Sequence, residues 1–175
     1  MHYKRINTVD DPSALLGLKL YETAFPYHEQ REQPSQARIM TDPEYHFTVI
    51  EDHDQPIGLV LYWETATFIY VEHFLIFPEC RGQRYGSRIL DDLGAMGKTV
   101  ILEIDPPTTE NAKRRQGFYE RNGYVANPYS HVHPAYHLGF KGHDLVVMSL
   151  GKGLSETDYA AFKTYLDEYV MKDVF

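Results

Sequence analysis

The sequence predicts an α/β layered fold built on one mixed, largely antiparallel sheet. Three observations carry this. Apolar runs of strand length recur along the chain. Three of them, between Tyr45 and Phe77, are separated only by short turns, which reads as an antiparallel meander. Stretches with helical spacing stand between the others, so helices must pack on the faces of the sheet.

Taken in order, His2 to Val9 alternates weakly and forms a first candidate strand. Asp11, Pro12 and Ser13 cap a helix with Leu15, Leu16, Leu18, Leu20, Ala24 and Phe25 as its apolar residues, and Pro26 ends it. Tyr27 to Arg31 is a polar loop or the start of another helix. Gln36 to Met40 reads as a short helix stopped by Thr41, Asp42 and Pro43. Tyr45 to Ile50 and Ile57 to Trp63 are strands about a turn of Asp, His and Pro. Phe68 to Phe77 is a third strand. It is apolar on both faces apart from Glu72 and His73, as a strand buried between layers reads. Pro78 removes a ladder donor and stops it.

Tyr85, Ile89, Leu90, Leu93 and Met96 share one face of the next helix, which ends near Gly97. Thr99 to Asp105 is another buried strand, broken by Pro106 and Pro107. Thr108 or Thr109 caps a helix over Glu110 to Asn122, closed by Gly123. Tyr124 to Val132, interrupted by Pro128, and Asp144 to Leu150 are the last strands. Ser155 to Asp158 starts a final helix, 156–172, with Tyr159, Phe162, Leu166 and Tyr169 as its inner stripe. With no linker, repeat or low-complexity tract, residues 1–175 read as one domain with that helix appended.

Composition excludes several classes. A hydrophobic fraction of 43% and an aromatic fraction of 14% fit a folded globule rather than a disordered chain. The formal net charge of −8 argues against a nucleic-acid binder, which needs a basic face. The single Cys80 excludes an internal disulfide and a Cys-rich zinc site. The start MHYKRINTVDD lacks the apolar core of a signal peptide, and no run reaches membrane-spanning length. The expectation is a cytoplasmic protein, monomeric or homodimeric, without a metal, a nucleic-acid partner or a membrane partner.

Within this order, Val71 to Leu90 joins a strand, a tight turn and a helix N-terminus. Free amides and the positive end of the helix dipole gather there and favour an anion, above all a phosphate. Gly82 and Gly86 lack a Cβ, so a ligand can approach the backbone. Arg81, Arg84 and Arg88 add positive charge. An ordinary βα connection with solvated arginines has the same composition.

The run EHFLIFPECRGQRYGSRIL resembles the acyl-CoA signature of the GNAT superfamily, the N-acyltransferases that use acetyl-CoA. That signature is Arg or Gln, two residues, Gly, one residue, then Gly or Ala. Arg81 and Gly86 hold its first and last positions, and Arg84 stands where the family's first Gly usually sits. The resemblance implies a GNAT-like sheet of roughly six or seven strands with helices on both faces. It also implies acetyl-CoA as cosubstrate. The backbone of Phe74, Leu75 and Ile76 would take the pantetheine amides like an added strand. The turn Arg81, Gly82, Gln83, Arg84, Tyr85, Gly86 and Ser87 would take the pyrophosphate.

The later run FYERNGY resembles the family pattern Phe-Tyr-x-x-x-Gly-aromatic. It implies that Tyr119 is the general acid toward the departing thiolate, which suits a phenol in a water-poor cleft. Asn111 resembles the family's pantetheine-binding Asn, although it lies eight residues before Tyr119 where seven is usual. Glu72 interrupts an apolar strand. A carboxylate there is costly unless paired or facing a cleft, so it is either a general base in the substrate cavity or a buried pair with an Arg or Tyr. His73 reads as a packed histidine on the opposite face of a regular strand.

Tyr27, His28, Glu29 and Arg31 lie where the family places acceptor-binding helices, and His133 and Tyr136 where a late loop covers the cleft. His131, His133 and His137 read as solvated loop histidines rather than a metal cluster. Cys80 has no evident base, and Gly97-Lys98-Thr99 fails as a phosphate loop because it runs from helix to strand. Two functions follow: N-acetyltransfer from acetyl-CoA to a primary amine, of a small molecule or a protein, or a non-catalytic acyl-CoA-binding module on the same fold.

Overall fold

A computed structural model describes residues 1–175. Its centre is a seven-stranded sheet. The strands are β1 (His2–Ile6), β2 (Tyr45–Asp52), β3 (Gln55–Glu64), β4 (Phe68–Ile76), β5 (Thr99–Ile104), β6 (Tyr124–Ala126) and β9 (Val146–Leu150). The spatial order is β1-β2-β3-β4-β5-β9-β6. Every pairing is antiparallel except β4 with β5. Two short strands, β7 (Val132–His133) and β8 (His143–Asp144), pair apart from the sheet. The region expected as one strand from Tyr124 to Val132 is therefore split, with Pro128 in the gap.

Five α-helices cover the sheet. α1 (Ala14–Ala24), α2 (Gln33–Ile39) and α5 (Glu156–Tyr165) contribute to the core on one face. α3 (Tyr85–Gly94) and α4 (Glu110–Arg121) cover the other. The caps of α4 and α5 follow the sequence, whereas Ser13 at the start of α1 makes no side-chain cap bond and instead donates its own N–H to Asp11 Oδ1 at 2.7 Å. Thr109 Oγ1 accepts from Ala112 N at 3.2 Å, and Ser155 Oγ accepts from Asp158 N at 3.1 Å. No helix is long and apolar enough to cross a membrane.

Two helices turn differently from the expected stripes. α1 buries Ala14, Gly17 and Tyr21, while Leu15 and Leu16 face outward. Gly17 permits this: a Cβ there would meet Ile6 Cδ1 and Phe47 Cε1 at 2.9 Å, so the helix lies close on the sheet. At the C-terminus, α5 passes into a π-helical turn, Leu166–Val170, in which Met171 N donates to Leu166 O at 2.9 Å. The extra residue moves the inner position from Tyr169, which is exposed, to Val170, which is buried. Phe162, Leu166 and Val170 are fully buried, so this segment completes a core rather than decorating one.

β4 contains the irregularity that shapes the site. Leu61 pairs with His73 and Tyr62 with Val71, which leaves Glu72 as an extra residue in a β-bulge. Before the bulge, Phe68 and Tyr70 face the α1/α5 core and Ile69 and Val71 the α3/α4 core. After it, Phe74 and Ile76 face α3/α4 and Leu75 faces α1/α5. The bulge thus turns His73 to the same face as Glu72, against the expectation for a regular strand. Ladder pairing of β4 with β5 stops at Val71 and Leu102. Beyond that point the two strands separate.

Phe162→Ala is expected to cost about 3–5 kcal/mol in urea unfolding, as a large cavity at a fully buried site does. Leu15→Ala, at a residue 80% exposed, is expected to change stability by less than about 0.5 kcal/mol.

Candidate active site

The gap between β4 and β5 opens a cavity of about 1010 Å³. One wall is the free edge of β4, including Phe74, Leu75 and Ile76, and the facing wall is Leu102 to Ile104 of β5 with Asp105 just beyond it. The N-terminus of α3 closes one end and α4 forms a side, with Asn111, Arg114, Phe118 and Tyr119 in the lining. Phe25, Glu29, His133 and Tyr136 border the other end.

The α3 end is built from unspent backbone. A 3₁₀ turn, Pro78–Cys80, leads out of β4, and none of the amides from Gly82 to Ser87 donates to a protein acceptor. The first helical bond is Arg88 N to Arg84 O at 3.1 Å. Gly82 and Arg84 have φ of 78° and 62°, left-handed residues that turn successive amides toward one concavity. Arg84, at the signature's glycine position, holds this conformation as the N-cap of α3, at a cost of about 1–2 kcal/mol for an L-residue. Arg81 Nε donates to Ile76 O at 3.0 Å and braces the turn on the end of β4. Gly86 serves packing: a Cβ there would meet Phe118 Cζ at 3.0 Å.

Every residue expected at the turn lines the cavity except Gln83, whose side chain lies outside the wall. Arg114 and Arg115 of α4 also line it and were not singled out in the sequence, although the Lys-Arg-Arg run stands in plain view. Arg115 pairs with Asp105 at 2.9 Å. Asn111 lines the cavity and is exposed.

Tyr119 reaches the cavity from α4 with its ring against Phe118 and Tyr124. Burial pushes its phenol up to about 12, so it carries its proton across the neutral range.

Glu72 is not a free carboxylate facing the cavity. Its side chain is 1% exposed and is held by three donors. Arg31 Nη2 and Tyr136 Oη donate to Oε1 at 2.9 and 2.8 Å, and Trp63 Nε1 donates to Oε2 at 2.9 Å. Burial opposes its charge, but the Arg31 guanidinium, with His73 and these hydrogen bonds, holds the carboxyl down to about 2. Arg31 is consumed by the same arrangement. It also donates to Val170 O at 2.7 Å, lies over the rings of Trp63 and Tyr136, and does not line the cavity.

A second buried carboxylate, Glu103 on β5, was not singled out in the sequence. It is bonded by His131 Nε2 and the Tyr70 hydroxyl, with His133 Nε2 at 3.9 Å. Burial opposes its charge too, yet His133 and His131 keep its pKa below the usual value. The late-loop histidines are accordingly not solvated: His131, His133 and His137 are all buried. His133 Nδ1 donates to Pro134 O at 2.6 Å. His137 bonds Glu32 Oε1 and Tyr27 O, each at 2.8 Å, and stacks on Tyr27 at 4.0 Å. Of the residues expected on the acceptor side, Glu29, His133 and Tyr136 line the cavity, and Tyr27, His28 and Arg31 do not.

Glu72→Gln is expected to cost about 3–5 kcal/mol at pH 7, because it leaves Arg31 buried without its counter-charge. Replacing both, Arg31→Met with Glu72→Leu, is expected to recover most of that. The Glu72 pKa is depressed in the folded state, so its contribution is present above the unfolded value of about 4.3 and lost as pH falls toward 2. Urea unfolding from pH 7 to pH 2 is expected to show a shallower acid loss in Glu72→Gln.

The comparisons with known proteins agree with this geometry. Residues 43–126, which span β2 to β6, match the family model of the acetyltransferase (GNAT) domain. A solved structure of a Bacteroides thetaiotaomicron protein assigned to the GNAT acetyltransferases shares 31% identity, covers 98% of both chains and superposes with a TM-score of 0.89. YjbC of Bacillus subtilis (strain 168), which carries an acetyltransferase assignment, is 21% identical over 87% of this chain and 75% of its own. An aminoglycoside 6'-N-acetyltransferase solved with coenzyme A has a TM-score of 0.54 at 16% identity, over 85% of this chain and 96% of that one, a likeness of fold alone. With the Bacteroides relative matched almost end to end at that identity, the chain belongs to the GNAT superfamily of acetyltransferases.

Proposed function

We propose that this protein moves an acetyl group from acetyl-CoA to a primary amine of a small molecule, by direct attack within a ternary complex. The carrying observation is the row of unspent amides from Gly82 to Ser87 beside Arg81, Arg84 and Arg114, at one end of a cavity whose wall is an unpaired strand edge. Such a row favours a diphosphate. The backbone of Phe74, Leu75 and Ile76 would hold the pantetheine amides, with Asn111 across from it. An amide at Leu75 or Ile76 would polarise the thioester carbonyl. Tyr119 gives its proton to the sulfur as the C–S bond breaks. Holding amine and thioester together lowers much of the barrier.

Glu72 acts in this reading as a positioning residue. Three of its roughly four lone-pair sites are taken by donors and the adjacent Arg31 favours its charged form, so it orients Tyr136 and Arg31 rather than accepting a proton. The preference for a small acceptor rests on the cover over that end. The Tyr27–His137 stack and the His137–Glu32 bond tie the late loop to the segment before α2, where a polypeptide would need an open groove. Residues 1–175 work as one catalytic unit, since the segment after α5 braces the Arg31 pair.

Calorimetry with coenzyme A is expected to show one site per chain, and thiol release from acetyl-CoA is expected with small primary amines. Tyr119→Phe should reduce turnover by about 10²–10⁴-fold with coenzyme affinity unchanged. Retained turnover would remove Tyr119 from the mechanism. Coenzyme binding without turnover of any amine, including peptides with a free N-terminus, would favour a non-catalytic module.

A further inference from the structure

One carboxylate in the cavity wall has no hydrogen-bond partner. Glu29 ends the 3₁₀ turn Tyr27–Glu29, between α1 and α2, and lines the cavity. Its nearest cationic neighbour is His28 Nε2, 3.7 Å from Oε1 and beyond hydrogen-bond range. The side chain is 39% exposed, so a ligand can reach it while part of its hydration is already lost. The turn that carries it is clamped. Glu29 N donates to Pro26 O and His73 Nε2 of β4 donates to Glu29 O, each at 2.9 Å. His137 Nε2 bonds Tyr27 O at 2.8 Å. His73 stands two residues before Leu75 on the same face of β4, a rise of roughly 7 Å along a strand. The histidine bond thus sets Glu29 beside the strand segment whose amides face the thioester.

We infer that the Glu29 carboxylate is the base that takes a proton from the ammonium group of the acceptor. This rests on the reading of the site as an acetyl-CoA-dependent N-acetyltransferase. The other bases in the wall are engaged or closed off. Glu72 accepts from three donors, Glu103 is bonded by His131 and Tyr70, and Asp105 pairs with Arg115 at 2.9 Å. Packing closes off His73 Nδ1. His133 Nδ1 donates to Pro134 O, and its Nε2 faces the Tyr136 hydroxyl at 3.4 Å. His143 lies on the β7–β8 ribbon apart from the sheet, its ring edge-on to His28 at 5.0 Å.

The charged and titratable groups that face Glu29 come from four elements: His28 of its own turn, Asp105 after β5, Arg115 of α4 and His143 of β8. Burial raises its pKa above the ordinary glutamate value. His28 opposes this, Asp105 adds to it, and Arg115 and His143 oppose it. The same partial burial lowers the pKa of an ammonium lodged there, so the two proton affinities approach each other. The step balances. The acceptor arrives as an ammonium and one N–H proton passes to Glu29. The freed lone pair forms the N–C bond, and the C–S bond breaks as Tyr119 gives its proton to sulfur. A second N–H proton leaves the nitrogen and restores Tyr119 through solvent, and Glu29 releases its proton to solvent.

The test compares wild type, Glu29→Gln and His143→Gln in single-turnover acetylation of n-propylamine from pH 7 to pH 9.5. Tyr119 is pushed up to about 12, so it keeps its proton throughout and the comparison reads the amine end. In Glu29→Gln the rate at saturating amine should fall by about 10²–10³-fold at pH 7, with coenzyme affinity within roughly twofold. That deficit should shrink by about tenfold or more toward pH 9.5, where more of the amine arrives neutral and needs no base. His143→Gln should keep the wild-type pH profile. A wild-type rate in Glu29→Gln, a loss confined to KM, a deficit constant with pH, or the pH-dependent loss appearing in His143→Gln instead would each overturn the inference. Carbon-13 NMR of protein labelled at the glutamate carboxyl carbon, with Glu29→Gln for assignment, gives a readout apart from turnover. The Glu29 titration midpoint should move down when n-propylammonium is added, and an unmoved midpoint would overturn the inference. Lack of coenzyme A binding in calorimetry would overturn the reading of the site, and the base role with it, even if the carboxyl signal still answered the ammonium.

Discussion

The buried charge of Glu72 is the constraint that the rest of the α1/α5 face answers to. An ionised carboxylate in a packed strand is stable only with its oxygens fully bonded. The donors come from separated parts of the chain: Arg31 before α2, Trp63 on β3 and Tyr136 in the late loop. Arg31 in turn needs Val170 O. One residue thus draws the N-terminal helices, the sheet, the loop and the C-terminal turn into a single arrangement. The interaction specifies position more than it adds stability, since an apolar replacement of the whole pair would be nearly neutral.

The same residue is the extra one in the β-bulge, and from this the cavity follows. A bulge bends its strand and strengthens its twist. Here β4 keeps its ladder with β3 as far as Ile76 while losing β5 after Val71. The free edge lies next to the unbonded amides of the turn, so two kinds of unspent backbone meet at one cavity. Their side chains divide by charge. Arginines of the turn and of α4 gather at one end, while buried carboxylates, each neutralised by its own donors, lie toward the other.

Much of the fold was legible because its signals are local. Strand runs, breaking prolines and the caps at Thr109 and Ser155 depend on neighbours in sequence, and the strand–turn–helix from Val71 to Leu90 appears where its residues put it. Motif-bearing Tyr119 also lines the cavity. What escaped depends on partners far along the chain. A bulge is a mismatch between two strands and leaves no mark on either, so the common facing of Glu72 and His73 was invisible. The late-loop histidines looked solvated because polar loops usually are, whereas Glu103, Pro134 and Glu32 bury them. The π-helical turn shifted one inner position from Tyr169 to Val170, a change the 3.6-residue period has no means of registering.

The C-terminal turn has a consequence for biosynthesis. Phe162, Leu166, Val170, Met171 and Val174 close the α1/α5 core, and the Val170 carbonyl is the second acceptor for Arg31. Chains emerge from the ribosome N-terminus first. The meander and the α3/α4 side can therefore assemble while the opposite face still presents Trp63, Phe68 and Tyr70 uncovered. That face is sealed only once residues 162–174 are available to pack, so a nascent chain stalled before residue 160 still presents it to solvent.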